Sequence, residues 1–131
     1  MKRDWDVIRE VLTEIETTPL SERTNLTYGV GAEYPAESAS KGEHALLLWK
    51  AGFISAIDIT TYGGHAILSP ELTWQGHELL DTIRSKAVWE RIKTIAKEKS
   101  IELTLDSVKA LGKLALEWVS VVTRFDAPMI T

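Results

Sequence analysis

A helix stop set directly against a hairpin constrains this chain more than any other feature. Ala51-Gly52 closes an apolar helical run. Phe53-Ile54-Ser55-Ala56-Ile57-Asp58-Ile59-Thr60 follows at once, with the alternation and β-branched residues of a strand. Tyr62-Gly63-Gly64-His65 is a turn signal. Ala66-Ile67-Leu68-Ser69 can return as the partner strand, with Pro70 expected to end it. A two-stranded hairpin is marginal alone, so its apolar face must close against helices.

The helices are legible on both sides. Arg3–Thr17 places Trp5, Ile8, Val11, Leu12 and Ile15 on one face, with Asp4 and Asp6 at the N-terminus and Pro19 beyond the end. Asn25–Val30 reads as a short strand. Pro35–Ala51 is helical in pattern but interrupted at Gly42, either as two short helices joined near Ser40–Gly42 or as one longer helix. After the hairpin, Thr73 is expected to cap a helix burying Leu79, Leu80 and Ile83. Ser85 is expected to cap the next, with the stripe Val88, Ile92, Ile95 and Ala96. Thr104 caps a last helix, Leu105–Arg124, and the tail Asp126–Thr131 is expected to be loose. The order is that of an α+β, mostly helical protein: a winged-helix-like core of helices plus a β-hairpin wing, residues 1–84, followed by a C-terminal helical extension, residues 85–131. The extension is expected to pack on the core or to mediate dimerisation.

Composition narrows the function classes. The 131 residues contain no cysteine, which excludes disulfides, thiolate metal sites and cysteine nucleophiles. The N-terminus carries charge without the apolar run of a signal peptide, and no stretch approaches a membrane helix, so a cytoplasmic location is expected. His44, His65 and His77 lack metal-ligand spacing. No strand–elbow–helix context activates Ser38 or Ser40, and Gly63-Gly64 is too short for a phosphate loop. The expectation is a protein without enzymatic activity, cofactor or metal.

Net charge is −4, against the basic balance typical of nucleic-acid binders. The reading helix of a winged-helix protein would here span about Ser38 to Lys50. Candidate contacts to DNA or a protein partner are Ser38, Ser40, Lys41, His44 and Lys50, with Tyr62 and His65 on the wing. That helix has no Arg, Asn or Gln and carries Glu37 and Glu43. Of five tryptophans, Trp5, Trp74 and Trp118 are expected in the core, and Trp49 and Trp89 as partly exposed partner anchors. Leu111, Leu114, Trp118 and Val121 form the face through which the last helix is expected to support a homodimer.

Three blocks carry a resemblance to a known family. Met1-Lys2-Arg3-Asp4-Trp5-Asp6-Val7-Ile8-Arg9, His44-Ala45-Leu46-Leu47-Leu48-Trp49-Lys50-Ala51-Gly52-Phe53-Ile54 and Leu72-Thr73-Trp74-Gln75-Gly76-His77-Glu78-Leu79-Leu80-Asp81 resemble, in this order, the bacterial and prophage family catalogued as domain of unknown function 2513. The resemblance spans Met1 to about Leu116, with a looser, longer Thr18–Gly42 region. It implies a winged-helix-like fold and carriage on phages and mobile elements; it transfers no catalytic residue. The function expected from these readings is DNA-associated regulation of a prophage or mobile element. The alternative is a phage-encoded module that binds a host or phage protein without binding DNA.

Overall fold

The computed structural model describes residues 1–126, with side chains to Val121; residues 127–131, where most of the expected loose tail falls, lie outside the described residues. The protein is α+β and mostly helical. In chain order it contains α1 (Trp5–Thr17), the single-turn α2 (Leu20–Arg23), β1 (Thr27–Gly31), a 3-10 turn (Ala36–Ser38), α3 (Ala39–Lys50), β2 (Ile54–Asp58), β3 (Gly64–Leu72), α4 (Trp74–Ile83), α5 (Lys86–Glu98) and α6 (Leu105–Asp126). These form two compact units, Met1–Leu80 and Asp81–Thr131. Among the described residues no helix is long and apolar enough to cross a membrane.

In the first unit α1 begins where Asp4 accepts the free amides of its first turn, Asp6 N–H at 2.9 Å and Val7 N–H at 3.4 Å. Its whole apolar stripe, Trp5, Ile8, Val11, Leu12 and Ile15, is buried. Each such side chain contributes about 1.5–3 kcal/mol of apolar burial. The stripe packs against α3, which also lies across β1. Gly42 makes that approach close: a Cβ there would stand 2.3 Å from the Gly29 carbonyl oxygen. The interruption at Gly42 therefore resolves as a 3-10 turn followed by one helix that contacts a strand through backbone.

The helix stop has its expected form. Gly52 adopts φ 88°. Phe53 N–H donates to Leu48 C=O at 2.9 Å, and Gly52 N–H to Trp49 C=O at 3.1 Å. This pair of bonds is the Schellman closure, which satisfies the last carbonyls of α3. The chain then enters an antiparallel sheet of order β1-β3-β2.

One boundary differs from expectation: β3 runs through Pro70 to Leu72. Ser55 pairs with Glu71 and Ile57 with Leu68, so Ser69 and Pro70 together stand opposite Ala56. That is a bulge, where a proline without an N–H is tolerated. Ser69 takes φ 55° there and donates its N–H to Leu26 C=O at 3.0 Å.

In the second unit Ser85 caps α5 by accepting Val88 N–H at 3.3 Å, and Thr104 caps α6 by accepting Ser107 N–H at 3.2 Å. The two helices pack on each other, with Val88, Trp89, Ile92, Ile95 and Ala96 buried on α5 and Val108, Leu111 and Ala115 on α6. α5 also ends in a Schellman closure, Ile101 N–H to Ala96 C=O at 2.8 Å and Ser100 N–H to Lys97 C=O at 3.3 Å. Here a serine occupies the left-handed position, at φ 54°.

Candidate interaction surface

The outer face of α3 and the loop between β2 and β3 are the surfaces singled out by the sequence. On α3, Ser40, Glu43 and Lys50 are exposed, falling close to one side at helical spacing, and Glu37 is exposed in the 3-10 turn before it. Ser38 is half-buried, and its hydroxyl donates to Pro35 C=O at 3.0 Å. At the turn of the β2–β3 hairpin, Tyr62 is fully exposed and His65 exposed, while Thr61 ties the loop by pairing with Gly64.

Two candidates leave this surface. His44 is buried, and both ring nitrogens are engaged: Nε2 accepts the Asp4 backbone N–H at 2.8 Å, and Nδ1 lies 2.6 Å from the Ser40 carbonyl oxygen. An amide N–H can only donate and a carbonyl only accept, so the hydrogen sits on Nδ1. His44 thus pins the start of α1 to α3 and cannot reach a partner. Lys41 turns toward α1, where its Nζ lies 2.7 Å from Glu14 and 3.4 Å from Glu10.

Glu14 is the centre of a small polar brace, because its other oxygen accepts the Tyr28 hydroxyl at 2.5 Å. Burial alone would raise the Glu14 pKa, but hydrogen bonds from Lys41 and Tyr28 and the charge of Lys41 outweigh it and hold the carboxyl below its ordinary range. The hydrogen bond to Glu14 raises Lys41 despite partial burial. Burial, then the bond to Glu14, pushes the Tyr28 phenol well up. Each group keeps its neighbour in the form that holds α1, β1 and α3 together. The adjacent cleft, bordered by Tyr28, Tyr34, Pro35 and Ser38, measures about 240 Å³, below the roughly 300–1,000 Å³ of ligand pockets.

Three of the five tryptophan assignments are reversed. Trp5 is buried and Trp49 half-buried, as expected, but Trp89, expected as a partly exposed anchor, is buried. Trp74, expected in the core, is 76% exposed; it stands opposite Leu79, Leu80 and Ile83 on α4, and its indole N–H donates to Glu78. Trp118 is 45% exposed and lies under the Arg91 guanidinium, 4.4 Å from the ring centre. On α6 Leu111 is buried, whereas Leu114, Trp118 and Val121 form a half-exposed stripe. Sequence reading missed Ile57 on β2, which is exposed because the period-two alternation of the strand places it with Ser55 on the outward face, opposite buried Ile54 and half-buried Ala56.

Charge is divided unequally between the units. Residues 1–80 hold six Lys and Arg against twelve Asp and Glu, a net of −6, and residues 81–131 hold nine against seven, a net of +2. From Ala51 to Ile83 there is no lysine or arginine, while Asp58, Glu71, Glu78 and Asp81 are all present.

The comparisons with known proteins are consistent in what they match. A family model described as hypothetical protein (DUF2513) matches residues 2–102. An uncharacterized protein of Haemophilus influenzae is 40% identical over 113 residues, covering 86% of this chain and 93% of that protein. No solved structure matches.

Proposed function

We propose that this chain, which belongs to the DUF2513 family of hypothetical proteins, is a non-enzymatic winged-helix-type module that docks onto a protein partner. The order α1, β1, α3, β2, β3 and the sheet order β1-β3-β2 support the winged-helix reading. One observation carries the choice of partner: the cation distribution on the surface such a fold presents. A duplex reader neutralises phosphates with Lys and Arg. Here Lys41 is held by two carboxylates, Lys50 shares the outer face of α3 with Glu43, Glu37 is exposed in the turn before that helix, and the wing has no lysine or arginine.

The second reading, a DNA-associated regulator of a prophage or mobile element, is favoured by the element order and by the exposed Tyr62 and His65 on the wing. Fluorescence anisotropy with labelled random duplex at low ionic strength separates the two. The protein-docking reading expects no saturable binding. Binding that weakens steeply with added salt would establish the DNA reading instead. A photoreactive residue at Ser40 or Tyr62, in cells that make the protein, should give a discrete protein adduct absent from the same label at Lys97. Nucleic-acid adducts, or identical adducts at all three positions, would refute docking through this face.

Self-association through α6 would depend on Leu114, Trp118 and Val121. Three half-exposed side chains offer on the order of 300 Å² per chain, against the roughly 800 Å² per partner of a stable interface. Light scattering at high concentration measures the outcome.

A further inference from the structure

β2 is an edge strand. It pairs with β3 on one side and, among the described residues, with no strand on the other. The direction of its free backbone groups follows from two bonds at its ends. Ile59 N–H donates to Ala66 C=O at 3.0 Å, and Thr73 N–H donates to Phe53 C=O at 3.1 Å. Bonding in an antiparallel pair alternates. With Ser55 opposite Glu71 and Ile57 opposite Leu68, the backbone groups of Ile54, Ala56 and Asp58 point away from the sheet.

Edges of this kind are ordinarily protected by a lysine, a proline or a bulge in the edge strand itself. β2 has none of these: its sequence is Ile-Ser-Ala-Ile-Asp, and the bulged residues lie on β3. Ile57 is 57% exposed on the strand. Exposed Tyr62 lies beyond its Asp58 end, and Trp74 lies just past Thr73, which is bonded to its Phe53 end. The surroundings favour one sign of charge. Asp58 and Glu71 are on the hairpin, and the chain offers no lysine or arginine from Ala51 to Ile83. Glu71 is paired with Arg23 at 3.9 Å, which leaves Asp58 as the unneutralised carboxylate of the hairpin strands. A second copy of the same unit would meet net −6 with net −6; a basic partner would not.

We propose that the open edge of β2 accepts an extended, basic segment of a protein partner as a fourth strand of the sheet, an inference that rests on the protein-docking reading above. Main-chain bonds to Ala56 and Asp58 supply affinity, and the exposed Asp58 carboxylate, in surroundings without lysine or arginine on the hairpin, selects lysine or arginine on the incoming strand.

The test uses the full chain and a short acetylated peptide of alternating valine and lysine, titrated by anisotropy. Its twins replace lysine by glutamate or carry N-methylated amides at alternate positions. The decisive variant is Ala56→Pro, because a proline whose N–H would face solvent is tolerated in an edge strand; circular dichroism confirms its fold. The proposal expects the valine–lysine peptide to bind, the glutamate twin not to, and both N-methylation and Ala56→Pro to weaken binding about tenfold or more. Equal binding by Ala56→Pro or by the N-methylated peptide would overturn it, as would preference for the glutamate twin or no binding at all. If the Tyr62 adduct persists in Ala56→Pro, docking stands and strand addition fails.

Discussion

Replacing Gly52 by alanine isolates the energetic role of the helix stop. The backbone there has φ 88°, and a Cβ would meet nothing within 4 Å. Steric overlap with neighbours is therefore absent, and only the local conformation is penalised. Left-handed backbone costs an L-residue about 1–2 kcal/mol. Alanine recovers about 0.4–1 kcal/mol by restricting the unfolded chain. Taking the middle of each range, the expected net loss is about 0.8 kcal/mol, read from the urea midpoint at constant slope. Gly52→Asn should lose less, since asparagine tolerates this conformation better. D-alanine placed at 52 by semisynthesis should stabilise, because its preferred φ is positive. Gly42→Ala is the contrast: its Cβ would lie 2.3 Å from the Gly29 carbonyl oxygen, so α3 and β1 must separate and the loss should exceed that at Gly52. An alanine at 52 as stable as the glycine, or an asparagine worse than the alanine, would refute this accounting.

Four further outcomes follow from described contacts. Glu14 has a lowered folded pKa, so its contribution is present above its ordinary value of 4.5 and lost as pH falls through the lower folded value; urea midpoints should decline with acid there, and Glu14→Gln should flatten the slope. Tyr28→Phe, which deletes a hydrogen bond to a charged group, should cost about 1.5–3 kcal/mol at neutral pH, measured by the same midpoints. His44→Ala strands the Asp4 amide and the Ser40 carbonyl and leaves a void, a loss of about 2–4 kcal/mol, with faster hydrogen exchange at the Asp4 amide. Ser100→Gly should raise stability by about 0.5–1 kcal/mol, because the serine now holds a left-handed backbone; a lowered melting temperature would contradict it.

Local signals were readable where one residue acts on its own helix. The α1 stripe, the Gly52 stop and the caps at Thr73, Ser85 and Thr104 depend on spacing and on hydroxyl or glycine chemistry within a few positions. Thr73 accepts Gly76 N–H at 3.2 Å, but it also donates to Gly52 C=O at 2.6 Å, a tertiary bond that no local rule reveals. Pro70 was misjudged because a bulge depends on the partner's register. Trp74 lies opposite Leu79, Leu80 and Ile83, so helical angle places it outside, whereas Trp89 borders the Val88, Ile92 and Ala96 stripe and is buried with it. The surface role imagined for His44 ignored a partner forty positions away, the Asp4 amide. The family was legible in three ordered blocks; the uneven charge of the two units was countable but depended on where the chain divides.

The missing lysines of the hairpin have a practical consequence. Amine-directed dyes, biotin esters and cross-linkers find no side-chain target between Lys50 and Lys86, so they decorate the rest of the molecule and leave the sheet edge chemically native. A probe labelled in this way keeps its proposed docking strand intact, and any loss of binding after labelling would locate contacts elsewhere. Trypsin, which cleaves after Lys and Arg, would likewise release residues 51–84 as one peptide, so that an adduct anywhere on the hairpin is carried by a single mass.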